Sequence, residues 1–373
     1  MEHYTTIGID VSDRTSKVCV MARIGGQRRI VEETTVATTK EAFRAYLERK
    51  DRSWPVTFET GAHCRWMERT ISKMGFKVYV ANPAYMRALT GSVTKNDRND
   101  ARELARYTLA DVELLHPVRL RDEPYQQMLR LLKARDGAIA IRTMVINQMR
   151  GFAKSMGFRL EKCSAGRFHL LNKAEWPTDF ESLTFPLMDI LETVALKIKA
   201  FDSMIEDLAG TPEFKPMVER CRQVYGVGKI GSVAFVAIIG GNPNRFEHAR
   251  DVGPYLGLVP KQDQSGESEK QKRMTKHGSK LVRKLLMECA KIAKKDCAKD
   301  TDLKLKAMRI SRSGGKAARN KATAAVARGL AVVMMALLKD PARKYVPLSE
   351  RGRLELERLQ RENETIEAMR MAS

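Results

Sequence analysis

Aromatic residues make up only 6% of this 373-residue chain, and its longest apolar stretches, Val233 to Ile239 and Ala331 to Leu338, fall far short of the ~20 residues that a membrane span needs. No membrane partner is expected, and the opening MEHYTTIGID has no charged-then-apolar signal pattern, so the protein is expected to be cytosolic. The six cysteines (Cys19, Cys64, Cys163, Cys221, Cys289 and Cys297) are scattered without a C-x-x-C pair, which argues against both a disulfide framework and a zinc site. Six dispersed histidines give no support to an imidazole metal cage. Negative charge is also short: 45 Asp and Glu stand against 67 Lys and Arg, a net charge of +22. With 43% hydrophobic residues the chain buries more than one core, which excludes general disorder.

An excess of positive charge on a globular chain points to polyanionic partners. The excess is uneven: +9 over residues 1–250, +13 over 251–350 and zero over the remainder. Within the dense block, Lys270, Lys272, Arg273, Lys276, Lys280, Arg283 and Lys284 are interleaved with turn formers. Each run alone also suits a solvated face, but together with the charge of the whole block they indicate nucleic acid.

Three β-rich runs open the chain, over 4–10, 17–24 and 30–37, divided by Ser12-Asp13 and Gly25-Gly26, and the pattern predicts a meander. A helix over 40–50, a strand over 56–59, a helix over 64–74, a strand over 77–80 and a helix near 99–109 follow. This alternation predicts an α/β unit, a mixed sheet covered by helices. From Pro124 to Met156, Met128, Leu131, Leu132 and Ile139 recur at helical spacing; residues 157–185 read as irregular; and helical periodicity returns over 187–208, so the two long segments suit a helical hairpin. A proline-bearing break over 211–216 reads as a boundary before a second, mostly helical domain. The charged segment from Pro347 onward reads as an exposed helix.

Candidate chemistry begins with carboxylates. Asp10 ends the first strand, Glu59 ends the fourth, and Asp97 and Asp100 lie three apart at a helix start. Parallel strand ends at one sheet edge come close, and i,i+3 residues share a helix face, so the four acids suit a pair of Mg²⁺ or Mn²⁺ ions ~4 Å apart, as in phosphoryl transfer. Turn chemistry for Asp10 and helix capping for Asp97 or Asp100 remain structural alternatives. The phrases YTTIGIDVSDRTSKVCV, FETGAHCRWMERTISKMGFKVYVANPAYMRAL and TKNDRNDARELA resemble the amino-terminal part of the IS110 family of DEDD transposases, relatives of pilin-gene DNA invertases. The resemblance implies an RNase H-type, RuvC-like domain over 1–115, with Asp10, Glu59, Asp97 and Asp100 on the four acidic positions as catalytic metal ligands.

The second domain opens on Gly226-Val227-Gly228-Lys229, a turn before a helix. It suits backbone N–H contact with a phosphate and equally suits plain helix packing. Further on, KQDQSGESEK reads as a polar loop, bounded by Lys261 and the Lys270 to Arg273 cluster. From GVGKIGSV to LLMECA the chain again resembles the IS110 family, whose carboxyl domain carries a nucleophilic serine in an S-G phrase. The matching position is Ser265; Ser268 is the rival, and Gly266 beside Ser265 favours close DNA approach. The resemblance implies a helical connector over 116–212, a serine-bearing transposase domain over 213–340 and a tail over 341–373. It further implies donor and target DNA, a structured bridge RNA as guide, a homodimer or tetramer, and a bacterial, nucleoid-associated location. Two departures are the long 156–186 segment and the extended tail. The rival readings are a RuvC-type metal-dependent hydrolase such as a junction resolvase, a DNA invertase of the same family, and a nonenzymatic nucleic-acid binder.

Overall fold

The computed structural model describes residues 4–83, 85, 97–172, 176–265, 268–295 and 297–371; the side chains of 97, 98, 262–265, 268–272, 360 and 362–371 lie outside that description. The chain divides into two compact units, Met1–Leu120 and Arg121–Ser373.

In the first unit, β1 (Thr5–Asp10), β2 (Thr15–Ile24) and β3 (Gln27–Ala37) form the meander; β4 (Val56–Glu59) and β5 (Val78–Ala81) follow in the sheet order β3-β2-β1-β4-β5. Strands β1 to β3 pair antiparallel, whereas β1, β4 and β5 run parallel, because α1 (Lys40–Glu48) and α2 (Cys64–Lys73) supply the crossovers. Strand alternation sorts the side chains. Ile7, Ile9, Val18, Val20, Val56 and Phe58 join Phe43 and Leu47 of α1 and Met67 and Ile71 of α2 in one core. Thr39 starts α1 by accepting the Ala42 N–H at 3.2 Å, a side-chain cap on an otherwise orphaned donor. On the opposite face Cys19 and Met21 pack with Ala101, Ala105 and Leu109 of α3 (Asp97–Ala110). Both faces of β1 are therefore buried, Ile7 and Ile9 in the α1–α2 core and Thr6 and Gly8 against α3.

The second unit is mostly helical. Helices α4 (Glu123–Ser155) and α5 (Thr178–Ala209) form an antiparallel hairpin: Tyr125, Met128 and Leu132 share a core with Ile205 and Ala209, while Val145, Ile146 and Met149 meet Met188 and Leu191 at the far end. An Arg135 to Asp202 ion pair of 2.5 Å ties the two. The expected irregular stretch to residue 185 is helical from Thr178 despite Pro186. Fully buried Phe180, in edge contact with Phe158 and Trp176 at 4.9 and 5.2 Å, fixes those first turns by packing, where periodicity shows little.

The break over 211–216 separates α5 from α6 (Lys215–Arg222); Phe214 within it is fully buried in the core, whereas Pro212, Glu213, Lys215 and Pro216 are exposed. Next come α7 (Lys229–Ile239), a two-stranded ladder of β6 (Pro260–Ser265) and β7 (Ser268–Met274), α8 (Lys280–Ala293), α9 (Asp302–Ser311), α10 (Gly315–Lys339) and α11 (Glu350–Met371). The apolar segments of the sequence lie here. Gly231 to Ile239 of α7 are all buried, and α10 lays Val326, Leu330 and Met334 into the same core. The 25 residues of α10 are long and apolar enough to span a membrane by length and composition, which the sequence reading did not anticipate from 331–338 alone. Its packing as the core helix of this unit accounts for that composition.

Candidate active site

The acidic edge is built by β1, β4 and α3. In the parallel ladder Ile9 pairs with Phe58, so Asp10 and Glu59 are the next residues on adjacent strands. Alternation puts both on the α3 side: Ile9 and Phe58 belong to the α1–α2 core, and Thr57, two before Glu59, accepts a 2.8 Å hydrogen bond from Thr108 of α3. Neighbouring strands lie about 4.8 Å apart, which brings two half-buried carboxylates side by side at the carboxyl edge.

Helix α3 is held against β1 with almost no gap. Thr6 donates to the Ala105 carbonyl at 2.9 Å, and a Cβ added to Gly8 would lie 2.3 Å from the Ala101 oxygen and 2.4 Å from the Ala105 nitrogen. Passing from Thr6 to Gly8 along β1 corresponds to passing from Ala105 to Ala101 along α3, so the helix runs antiparallel to the strand. Its first turn, with Asp97 four residues before Ala101 and half-buried Asp100 one before it, therefore arrives at the edge that Asp10 and Glu59 occupy. Arg102 fixes the helix rotation through two bonds to Glu33 of β3, at 2.5 and 2.8 Å.

Carboxylate oxygens on neighbouring strand ends are the donor chemistry that hard divalent cations take. Among the described residues no three Asp, Glu, His or Cys side chains form a closed metal cluster, and the side chain of Asp97 lies outside the described ones. The same edge holds a pair that sequence reading missed. His63 Nε2 lies 3.3 Å from Asp13 Oδ1, and Trp66 donates to His63 Nδ1 at 3.1 Å, which leaves the ring proton on Nε2, facing the carboxylate. Asp13 follows β1 and His63 precedes α2, separated by 50 positions, so only the parallel pairing of β1 with β4 reveals them.

In the second unit the predicted polar loop is a hairpin. Ser265 is the last residue of β6 and is registered opposite Ser268, the first of β7, with Asp263 opposite Lys270. Ladders of Gln, Lys and Ser lack the apolar alternation by which strands are recognised, which explains the discrepancy. Gly266 and the side chains of Ser265, Ser268, Lys270 and Lys272 lie outside the described residues. The base of the hairpin is clamped. Thr275 donates to the Val259 carbonyl at 2.9 Å, and Gly257 and Gly278 pack so closely on His277 and Tyr255 that a Cβ on either would meet backbone oxygen at 2.3 Å. Arg283 closes the clamp with bonds to the carbonyls of Leu256, 2.9 Å, and His277, 2.7 Å.

Arg283 is buried in this role, and desolvation lowers its pKa. Lys229 and Lys284 are ion-paired, with Glu206 and with Asp136 respectively. Lys261, Arg273, Lys276 and Lys280 are exposed. Gly226, at φ 87°, packs against Ala293, where a Cβ would come within 2.7 Å, so this glycine serves a close helix approach; Gly228 caps α7 with open space on its Cβ side.

Residues 7–157 match the DEDD family described as Transposase, and residues 218–302 match the Transposase IS116/IS110/IS902 family. The chain belongs to the IS110 family of insertion-sequence transposases. It is 28% identical over 277 residues to the transposase for insertion sequence element IS1111A of Coxiella burnetii, covering 72% of this chain and 73% of that one. It is 27% identical to the transposase for insertion sequence element IS1328 of Yersinia enterocolitica over 64% of this chain and 70% of the other, and 28% identical to a putative transposase, y4qE, of Sinorhizobium fredii over 76% and 70%. As a member of this family the transposase cuts and rejoins DNA, and membership of the DEDD transposases implies use of a divalent metal. A mixed sheet layered with helices agrees with such a domain.

Proposed function

We propose that this IS110-family transposase breaks and reseals DNA through a covalent Ser265–DNA intermediate, assisted by Mg²⁺ (or Mn²⁺) at a RuvC-like site of Asp10, Glu59, Asp97 and Asp100. The observation that carries the reading is the convergence, at one sheet edge, of two adjacent parallel-strand carboxylates and the acidic first turn of a helix locked against them. These four carboxylates would hold such an ion, which would supply charge neutralisation at a phosphodiester. Carboxylates on a sheet core hold their positions without reorganising during the reaction, which is the advantage of mounting them on β1, β4 and α3.

The serine hydroxyl oxygen attacks phosphorus and gives up its proton, the bond to the 3′-oxygen breaks, and that oxygen leaves as a 3′-hydroxyl after taking a proton. The phosphodiester energy is conserved in the seryl phosphodiester, so a 3′-hydroxyl of another strand reseals by the reverse step. The clamped hairpin base supports this role by holding the strand that ends at Ser265. The net charge of +22 supports a complex with donor and target DNA and a structured bridge RNA, bound chiefly through their backbones, in a homodimer or tetramer. The division of the second unit into helical connector, serine-bearing domain and tail belongs to the same reading. Cleavage of a labelled element end tests it: Asp10→Asn, Glu59→Gln, Asp97→Asn and Asp100→Asn each abolish Mg²⁺-dependent cleavage while nucleic-acid binding persists. Wild-type rates in two or more of these variants would refute the metal site.

A further inference from the structure

Residues 291–321 carry eleven lysines and arginines against three aspartates, and none of them belongs to the contacts argued above. They form the end of α8, the turn after it, α9 and the start of α10. These elements enclose an open cavity of about 610 Å³, lined by Lys291, Lys294, Lys295, Ser311 and Arg319, with Cys297 on its wall. The described acids nearby have partners of their own, and Asp296 lies outside the described residues. Asp300 pairs with Lys304 at 3.1 Å, and Asp302 accepts from the backbone and hydroxyl of Ser349 at 3.0 to 3.3 Å. Lys291 meets Glu288 in an exposed pair that competes weakly with a phosphate. Lys294, Lys295 and Arg319 carry no ion pair among the described residues.

Like charges gathered around one cavity repel, and an anion in the cavity offsets that cost. The volume accommodates a sugar-phosphate unit. Between Ser311 and Arg319, Gly314 and Gly315 take φ of 73° and 77° with open space where a side chain would sit, which leaves the first N–H groups of α10 approachable at the positive end of its dipole. We propose that this cavity is a second nucleic-acid site of the transposase, gripping the phosphodiester backbone of a DNA or RNA strand. The proposal rests on the reading that the chain binds nucleic acid and is independent of the Ser265 chemistry.

Cys297 provides a local reporter, because it is exposed while Cys19, Cys64, Cys221 and Cys289 are buried and half-buried Cys163 can be replaced by serine. The full-length Cys163→Ser chain, in EDTA so that no strand is cut, is labelled with a fluorescent maleimide alone, with saturating duplex DNA and with saturating hairpin RNA. Several-fold slower labelling of Cys297 is expected with at least one probe; protection by one alone names the strand, and protection by both indicates a shared backbone site. In parallel, Lys294→Gln/Lys295→Gln/Arg319→Gln should reduce the slope of log affinity against log salt for the protecting probe by about 2 to 3. Unchanged labelling with both probes overturns the proposal whatever the slope does. Failure to bind either probe would sink both this proposal and the reading beneath it, whereas loss of the Ser265 intermediate alone would leave this one standing.

Discussion

Gly8→Ala adds one methyl group, changes no charge and should still cripple the transposase. The new Cβ would sit 2.3 and 2.4 Å from backbone atoms of Ala101 and Ala105, so α3 must retreat from β1 by about 1 Å to restore ordinary contact at 3.4 Å. Overpacking of this kind costs about 1–3 kcal/mol, and weakening the Thr6 to Ala105 hydrogen bond adds about 1 kcal/mol. A loss of that size lowers the melting of the first unit by roughly 10 °C. The larger effect is chemical. Retreat of α3 carries its acidic first turn away from Asp10 and Glu59, and a 1 Å misplacement of reacting groups costs about 10²-fold in rate. Thermal melting of the full chain, together with excision frequency in cells at a permissive temperature, measures both. Gly137→Ala, mid-helix with nothing within 4 Å, is the control and should melt slightly higher. Wild-type melting and wild-type excision in Gly8→Ala would refute the packing of α3 on β1.

Other outcomes follow from the same geometry. Arg283→Met should destabilise the second unit by about 2–3 kcal/mol, by orphaning the Leu256 and His277 carbonyls; a full-stability variant with weakened DNA binding would contradict its role in the clamp. Neutralising exposed Lys261, Arg273 and Lys276 together should leave melting unchanged and flatten the salt dependence of DNA binding by about one unit per lost phosphate contact, read from titrations at several salt concentrations. Burial pushes the Cys221 thiol up to about 12, so the folded chain keeps a proton that the unfolded chain releases above pH ~8.5. Its contribution is intact at and below that pH and is lost as pH rises toward 12. Denaturant melts between these limits should therefore show a shallower decline for Cys221→Ala, and an identical decline would contradict the burial.

Much of the first unit was legible because it obeys simple periodicities. Ile7 and Ile9 alternate with Thr6 and Gly8, Gly25 and Gly26 turn the chain at φ of 58° and 80°, and β4 spans the residues 56–59 expected from its β-rich pattern. The neighbourhood of Asp10 and Glu59 followed from expecting parallel strands. The Asp13–His63 contact did not, since it joins two loops and depends on which strands are adjacent. In the second unit the hairpin at Ser265 was hidden by its polar composition, and the start of α5 by Pro186. Basic residues read alike in sequence, yet their roles differ: Arg283 is buried in a clamp, Lys229 and Lys284 are paired, and Lys294, Lys295 and Arg319 line a cavity. Burial and partner choice separate them, and those are properties of the fold.

The most direct test of the central claim is the mass of one peptide. A nicked element end that releases its 3′ fragment and cannot be resealed is incubated with the full chain and Mg²⁺, denatured, and digested with nuclease and trypsin. Cleavage after Lys261 and Lys270 liberates the peptide of residues 262–270, which holds both Ser265 and Ser268. The account predicts that this peptide gains the mass of a nucleotide and that fragmentation places it on Ser265, with the adduct absent from Ser265→Ala and retained in Ser268→Ala. Cleaved DNA with an unmodified peptide, or a nucleotide on Ser268, would contradict it.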